Sequence, residues 1–214
     1  MARLDEITPD IYRINTAMDG GFSFNPYLIK DEKNILIHTG SVAMFKDVSA
    51  RLAEVLDATQ LDYIFISHFE SDECGALSNF QALYLKMVPL CSAVTARQLQ
   101  GFAIHGSPHV VKPGEELNLG SRKLSFISYP SEMHLWEGLL ACDVTDKVLF
   151  SSDLFVVRGA GDSPLHRVGA EEALTINPRS IPDDDARQKC EAEIRELDIE
   201  LVAVGHGPVL DIRA

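Results

Sequence analysis

Cysteine is scarce in this chain, with four in 214 residues, and none sits in a CxxC pair. Cys74, Cys91, Cys142 and Cys190 stand far apart, which excludes a disulfide frame and a thiolate metal site and reads as reduced thiols in a cytoplasmic protein. Long apolar runs are missing as well: nothing approaches the roughly 18–20 residues of a membrane span. Met1 to Thr8 carries no apolar leader segment. Basic residues are few, 19 Lys and Arg against 32 Asp and Glu, and the net charge of −13 argues against nucleic acid or an anionic membrane as partner. No glycine-rich phosphate loop is present, so no flavin is expected to bind. There is no internal repeat and no low-complexity tail. What remains is ordinary for a globular protein, 46% apolar and 24% charged. The length suits one core, and residues 1–214 are expected to form one domain.

Short apolar runs read as strands: Ile11–Ile14, Phe24–Ile29, Ile35–Ile37, Tyr63–Ile66, Val88–Cys91, Leu124–Ser128, Leu139–Cys142, Val148–Phe150 and Leu201–Val204. Helical spacing lies between them. Val42, Phe45, Val48, Leu52, Val55 and Leu56 recur at three and four residue steps, with Ser41 placed as an N-cap. Gly75–Leu85, Thr95–Phe102 and Ala170–Leu174 read as further helices. The last helix carries Ala186, Cys190, Ile194 and Leu197 on one face, with Pro182 and three aspartates at its start. Residues 156–182 otherwise read as a long irregular excursion. Strands in early and late groups with helices interleaved predict a layered α/β sandwich.

The polar residues fall at the carboxyl ends of four of these strands. Tyr63–Ile66 runs into His68, Glu70, Asp72 and Glu73. Leu124–Ser128 leads to His134, Val148–Phe150 to Asp153 and Leu201–Val204 to His206. In layered α/β folds that edge is where sites assemble. A lone His or Asp after a strand is more often a turn residue. Four such endings, one of them with three carboxylates beside an imidazole, point to a metal site, because ionised groups are costly to bury unless paired or bound to a cation. Imidazoles with several carboxylates suit iron or manganese.

The order His68-x-Glu70-x-Asp72, then His134, then Ser151-Ser152-Asp153, then Gly205-His206-Gly207-Pro208 resembles the metallo-β-lactamase superfamily. The resemblance is to its diiron branch of flavodiiron and oxygen-binding diiron proteins, where Glu stands in the second place as Glu70 does. Asn25-Pro26-Tyr27-Leu28-Ile29 and Ile35-Leu36-Ile37-His38-Thr39-Gly40 match the family's opening strands. The likeness implies a four-layer αββα sandwich. It implies one iron on His68, Glu70 and His134 and a second on Asp72 and His206, with Asp153 bridging; zinc or manganese are the alternative metals. It further implies O2 or NO as the ligand.

Three departures from the family pattern bear on that reading. Glu73 stands where the family has His, and reads either as an added ligand or as a surface glutamate opening a helix. His38 stands where an Asp commonly supports the site, and reads either as a partner to a ligand or as a strand end. The flavodoxin domain that follows this module in flavodiiron proteins is not expected here, so electrons are expected from a separate donor protein of rubredoxin or flavoprotein type. Without that domain the flavin-sharing reason for a homodimer is gone, and the oligomeric state stays open. A binuclear metallohydrolase of the same fold, acting on a phosphodiester or thioester, and an O2 sensor without turnover are the alternative functions. His105 and His109 read as surface histidines, Cys74 as a packed helix residue, and Tyr27 and Phe69 as core. Trp136 reads as pocket wall or packing, and His166 as a residue of the excursion that could fold over the site.

Overall fold

The computed structural model describes residues 2–57, 60–104, 106–131, 136–158 and 163–213, with only the backbone of Ser131, Trp136 and Glu137 described. The first half builds one sheet from β1 (Arg3–Thr8), β2 (Ile11–Ala17), β3 (Ser23–Phe24), β4 (Tyr27–Ile29), β5 (Asn34–Ile37), β6 (Leu61–Phe65), β7 (Val88–Cys91) and β8 (His109–Val110). Its order is β1-β2-β4-β5-β6-β7-β8, with β3 paired to β2. The second sheet contains β9 (Glu116–Asn118), β10 (Lys123–Ser131), β11 (Trp136–Asp143), β12 (Val148–Val156), β13 (Leu165–Arg167), β14 (Leu201–His206) and β15 (Val209–Asp211). Its order is β13-β15-β14-β12-β11-β10-β9.

Alternation along the strands builds the layers. In β5, Ile35 and Ile37 enter the core between the sheets, while Leu36 joins the outer core. In β14, Leu201 and Ala203 face the first sheet and Val202 and Val204 face away. The outer face of the first sheet is covered by α1 (Phe45–Leu52), α3 (Leu77–Leu83) and α4 (Ala93–Gly101), which follow a single turn, α2 (Ser71–Cys74), or flank it. The outer face of the second is covered by α5 (Ala170–Ala173) and α6 (Asp184–Arg195). The order helix, sheet, sheet, helix is the αββα sandwich read from the sequence. No described helix is long and apolar enough to cross a membrane.

Several boundaries differ from the sequence reading. The run 24–29 is two strands, because between β3 and β4 the Asn25 amide turns from β2 to the Gly205 carbonyl. Ser41 gives no side-chain cap, and Val42–Met44 form a 3-10 turn before α1. Ser92, not Thr95, opens α4, its hydroxyl accepting from the Thr95 amide at 3.1 Å. Asp183 caps α6 through the Ala186 amide at 2.7 Å, as its aspartate-rich start suggests. The edge strands β1, β8, β9 and β13 and the inner strand β15 fall outside the apolar runs that mark strands in the sequence. The 156–182 excursion holds β13, which pairs in parallel with β15.

Candidate metal centre

Parallel pairing carries the site residues to one edge. β5 lies beside β6 with Ile37 opposite Phe65, so the residues that follow, His38 and Ser67, meet as neighbours. The chain past β6 turns into α2, where successive side chains diverge by about 100° instead of the half-turn of a strand. Asp72 and Glu73 therefore both stay on the buried side, at 8% and 0% exposure. That result removes the surface-glutamate reading of Glu73.

Asp153 corrects a second expectation. β12 does not end before it but continues to Val156, and Asp153 projects from inside the strand. It does so because the pairing with β14 slips at Ser152, whose φ of +48° is left-handed backbone. Gly205 of β14 permits the approach: a Cβ there would stand 3.0 Å from the Ser152 carbonyl and 3.1 Å from Asp153 Oδ1.

The side chains converge. His68 Nε2 lies 3.1 Å from Glu70 Oε2, 3.8 Å from Glu73 Oε2 and 3.8 Å from Asp153 Oδ2. His206 Nε2 lies 3.3 Å from Asp153 Oδ1 and 3.4 Å from Asp72 Oδ2. One oxygen of Asp153 thus faces each imidazole. His68, Glu70 and Glu73 also form a three-residue group whose ligand atoms lie within 4.8 Å of one another. Glu73 therefore sits on the His68 side of Asp153 as well as next to Asp72 in sequence. His134 and His105 lie outside the described residues, and so does the side chain of Trp136.

The electrostatics are those of a site short of positive charge. Asp72 Oδ1 and both oxygens of Glu73 are buried with no N–H group donating to them among the described residues, whereas Asp153 Oδ1 has the His206 imidazole at 3.3 Å. Burial, then the charges of Asp153 and Asp72, push the Glu73 carboxyl well above the usual carboxylate range. Burial also raises Asp72, with Asp153 and Glu70 adding to it. Burial works on Asp153 in the same direction, but the His206 and His68 imidazoles outweigh it and hold that carboxyl low. Burial pulls His206 down, and the Asp153 and Asp72 carboxylates more than offset it. Unpaired buried carboxylates cost several kcal/mol each in the absence of a compensating charge. The donor set fits divalent cations.

The rings are anchored from behind. His206 Nδ1 lies 2.9 Å from the Ser23 carbonyl, an acceptor only, so Nδ1 carries the proton and Nε2 is free to coordinate. His68 Nδ1 lies 3.0 Å from Ser67 Oγ and 3.4 Å from Ser152 Oγ. Ser67 Oγ also meets Ser152 Oγ at 2.8 Å and His38 Nε2 at 2.9 Å. His38 is therefore joined to His68 through a hydroxyl, and it is more than a strand end. Burial takes its imidazole down to about 3, which keeps it neutral. His38 and Ser152 both have positive φ, and both end on Ser67.

The remaining sequence candidates separate from the cluster. Cys74 donates to the Glu70 carbonyl at 3.1 Å, and burial pushes its thiol up to about 12. It braces the turn, and its high pKa leaves it little reactive thiolate. Phe69 is half-buried and packs on exposed Phe102, with ring centres 4.9 Å apart. Tyr27 is core, though its hydroxyl donates to the Val204 carbonyl at 2.7 Å. His109 is exposed on β8. His166 is exposed on β13 and lines a separate cavity of about 330 Å3 with Glu172, Thr175 and Asn177.

A family model, that of the ODP family beta lactamase, matches residues 22–207. The chain belongs to the ODP family. That match takes in every residue of the cluster. An uncharacterized protein of Methanocaldococcus jannaschii is 29% identical over 207 residues, covering 88% of this chain and 49% of its own length. The anaerobic nitric oxide reductase flavorubredoxin of Klebsiella pneumoniae is 35% identical over 138 residues, 63% of this chain and 28% of that protein. The chain thus spans half or less of the curated relatives it matches. Among solved structures, the flavodiiron core of Flv1 from Synechocystis superposes with a TM-score of 0.84 at 20% identity, covering 98% of this chain and 57% of that one. Rubredoxin oxygen:oxidoreductase from Desulfovibrio gigas gives 0.81 at 21%, with the same coverage. These likenesses establish the metallo-β-lactamase-like fold of the ODP chain.

Proposed function

We propose that the ODP chain holds a two-iron centre that binds or reduces O2 or NO, with electrons delivered by a separate donor protein. The observation that carries the reading is Asp153, with one carboxylate oxygen toward His68 and the other toward His206. In that reading His68, Glu70 and His134 hold one iron and Asp72 and His206 the other, with Asp153 shared. Glu73 is a further ligand, placed on the His68 side. The relatives support the chemistry: one is an anaerobic nitric oxide reductase flavorubredoxin and another a rubredoxin oxygen:oxidoreductase.

Bound iron would supply a redox-active pair of cations able to bind a diatomic ligand. The chain's own contribution is to aim and insulate. Ser23 and the Ser67–Ser152 hydroxyls fix which nitrogen of each ring faces inward. Phe24 stands against both His206 and His38, with centroids 5.3 and 5.9 Å away, and keeps water from the backs of those rings. The converging carboxylates set the charge that the metals must neutralise.

The test is anaerobic reconstitution with ferrous iron, metal analysis, and spectra before and after O2 or NO. Two irons per chain, a near-ultraviolet ferric absorption and gas uptake with an electron donor are expected. Zinc alone in the isolated protein, with no gas reactivity after iron is rebuilt in and turnover of a phosphodiester, would replace the proposal with a hydrolase. Uptake that stops at one equivalent with every donor would make the protein a sensor. Glu73→Gln tests the added ligand: a ligand role predicts weaker binding of one iron, whereas a buried bystander predicts unchanged metal content and a more stable protein.

A further inference from the structure

Arg13 is the largest fully buried side chain among the described residues, at 0% exposure. It sits on β2 directly opposite Asp5 of β1. Its Nε and Nη2 donate to Asp5 Oδ2 at 3.2 and 2.9 Å, and Arg3 Nε donates to the same oxygen at 2.9 Å. The remaining arm leaves the first sheet altogether. Nη1 donates to the carbonyl of Gly207, the residue after His206, at 3.1 Å. A buried ion pair is weak evidence for stability, because well-packed apolar residues of similar volume often do as well or better. What apolar residues cannot do is grip a carbonyl across a sheet-to-sheet gap.

Arg13 does not act alone on this segment. Asn25 Nδ2 donates to the carbonyls of Gly207 at 2.8 Å and Val204 at 3.0 Å, and its own Oδ1 accepts from Asn15 at 2.7 Å. The Asn25 amide takes the Gly205 carbonyl at 2.9 Å, and the Val157 amide takes that of His206 at 3.0 Å. Every carbonyl from Val204 to Gly207 is thereby held by a group outside the segment. Gly207 has φ +103°, and a Cβ there would stand 2.2 Å from the Val157 carbonyl, so this turn has one conformation and little room to leave it.

We infer that Arg13 is a positioning residue: through the Gly207 carbonyl, and together with Asn25, it fixes the turn that aims His206 at Asp153 and Asp72. The inference builds on the two-metal reading, and its test carries one readout that needs no metal. Among the described residues Arg13 bonds only to Asp5 and to the Gly207 carbonyl, and it reaches His206 through the backbone.

Two variants separate positioning from stability. Arg13→Met removes the grip while leaving Asp5 its contact with Arg3. Arg13→Met combined with Asp5→Leu removes the whole ion pair, a replacement that restores stability where packing is good. His206→Ala identifies which metal equivalent belongs to His206. In both Arg13 variants that equivalent is expected to bind about 10- to 100-fold more weakly, the range for losing an outer partner of a ligand, with the other equivalent unchanged. In metal-free protein, the slowly exchanging Nδ1 proton of His206 is expected in the wild type and lost or shifted in both variants. A double variant that regains the melting temperature, the metal affinity and the proton resonance together would overturn the inference. So would single-variant protein that melts lower with affinity and resonance intact. Wild-type protein that takes up no second metal would defeat the two-metal reading, and the His206 resonance would still decide the role of Arg13.

Discussion

His68 and His206 turn their Nε2 atoms toward the same carboxylate, but what stands behind the two rings differs. Behind His68 are hydroxyls: Ser67 and Ser152, with His38 beyond them. Hydroxyls donate or accept as needed, so this side is polar and internally adjustable. Behind His206 are main-chain carbonyls, Ser23 at its Nδ1 and a turn gripped by Arg13, Asn25 and Tyr27. Carbonyls only accept, so this side has one tautomer and one backbone path. The difference is that one half of the site is tuned by side chains and the other by the docking of two sheets.

The most severe break in that comparison is at the residue common to both halves. Asp153→Asn is expected to lower the affinity of both metals by more than the ~10- to 100-fold typical of an outer partner, measured by competitive chelator titration. Removing all metal from the wild-type protein should come next. The converging carboxylates then lose their compensating charge, and free metal at about 1,000 times Kd should return roughly 4 kcal/mol on refilling, read as a rise in melting temperature. Gly205→Ala should cost about 1–3 kcal/mol through overpacking, because its Cβ would crowd the Ser152 carbonyl and Asp153 Oδ1. That cost should come with weakening of both metals.

Ser67→Ala sharpens the comparison from the adjustable side. It leaves His38 and the His68 Nδ1 without their shared hydroxyl and should cost about 1–3 kcal/mol. Its metal penalty should fall on the His68 equivalent alone, the mirror of the Arg13 variants. His166→Ala should do least. Its ring is exposed over a separate cavity, so stability should stay within about 0.5 kcal/mol and both metals should bind as before.

The layers and most of the cluster were legible from residues alone, and the reasons are local. Ile35-Leu36-Ile37 and Leu201–Val204 are runs too apolar to be anything but strands buried on both faces. The charges that follow them mark where burial ends. The place of Asp153 inside β12 is not legible, because a slip in pairing at Ser152 depends on the partner strand β14 and leaves no mark in β12 itself. The edge strands β8 and β13 went unread because two or three exposed residues carry no period. Arg13, Ser67 and Ser152 carry no mark of the site in the sequence for a related reason. Their role comes from which residues lie behind a ligand, and that is set by the stacking of two sheets. A weak signal did exist for Arg13: a lone cation between Ile11-Tyr12 and Ile14, in a strand otherwise built for burial.

The central claim is that two metals share Asp153, and counting them tests it most directly. Anaerobic titration of the metal-free protein with ferrous iron should saturate at two equivalents per chain. In Asp153→Asn neither equivalent should bind with its original affinity, although the fold persists by circular dichroism. Saturation at a single equivalent in the wild type, or two undiminished equivalents in Asp153→Asn, would contradict the account.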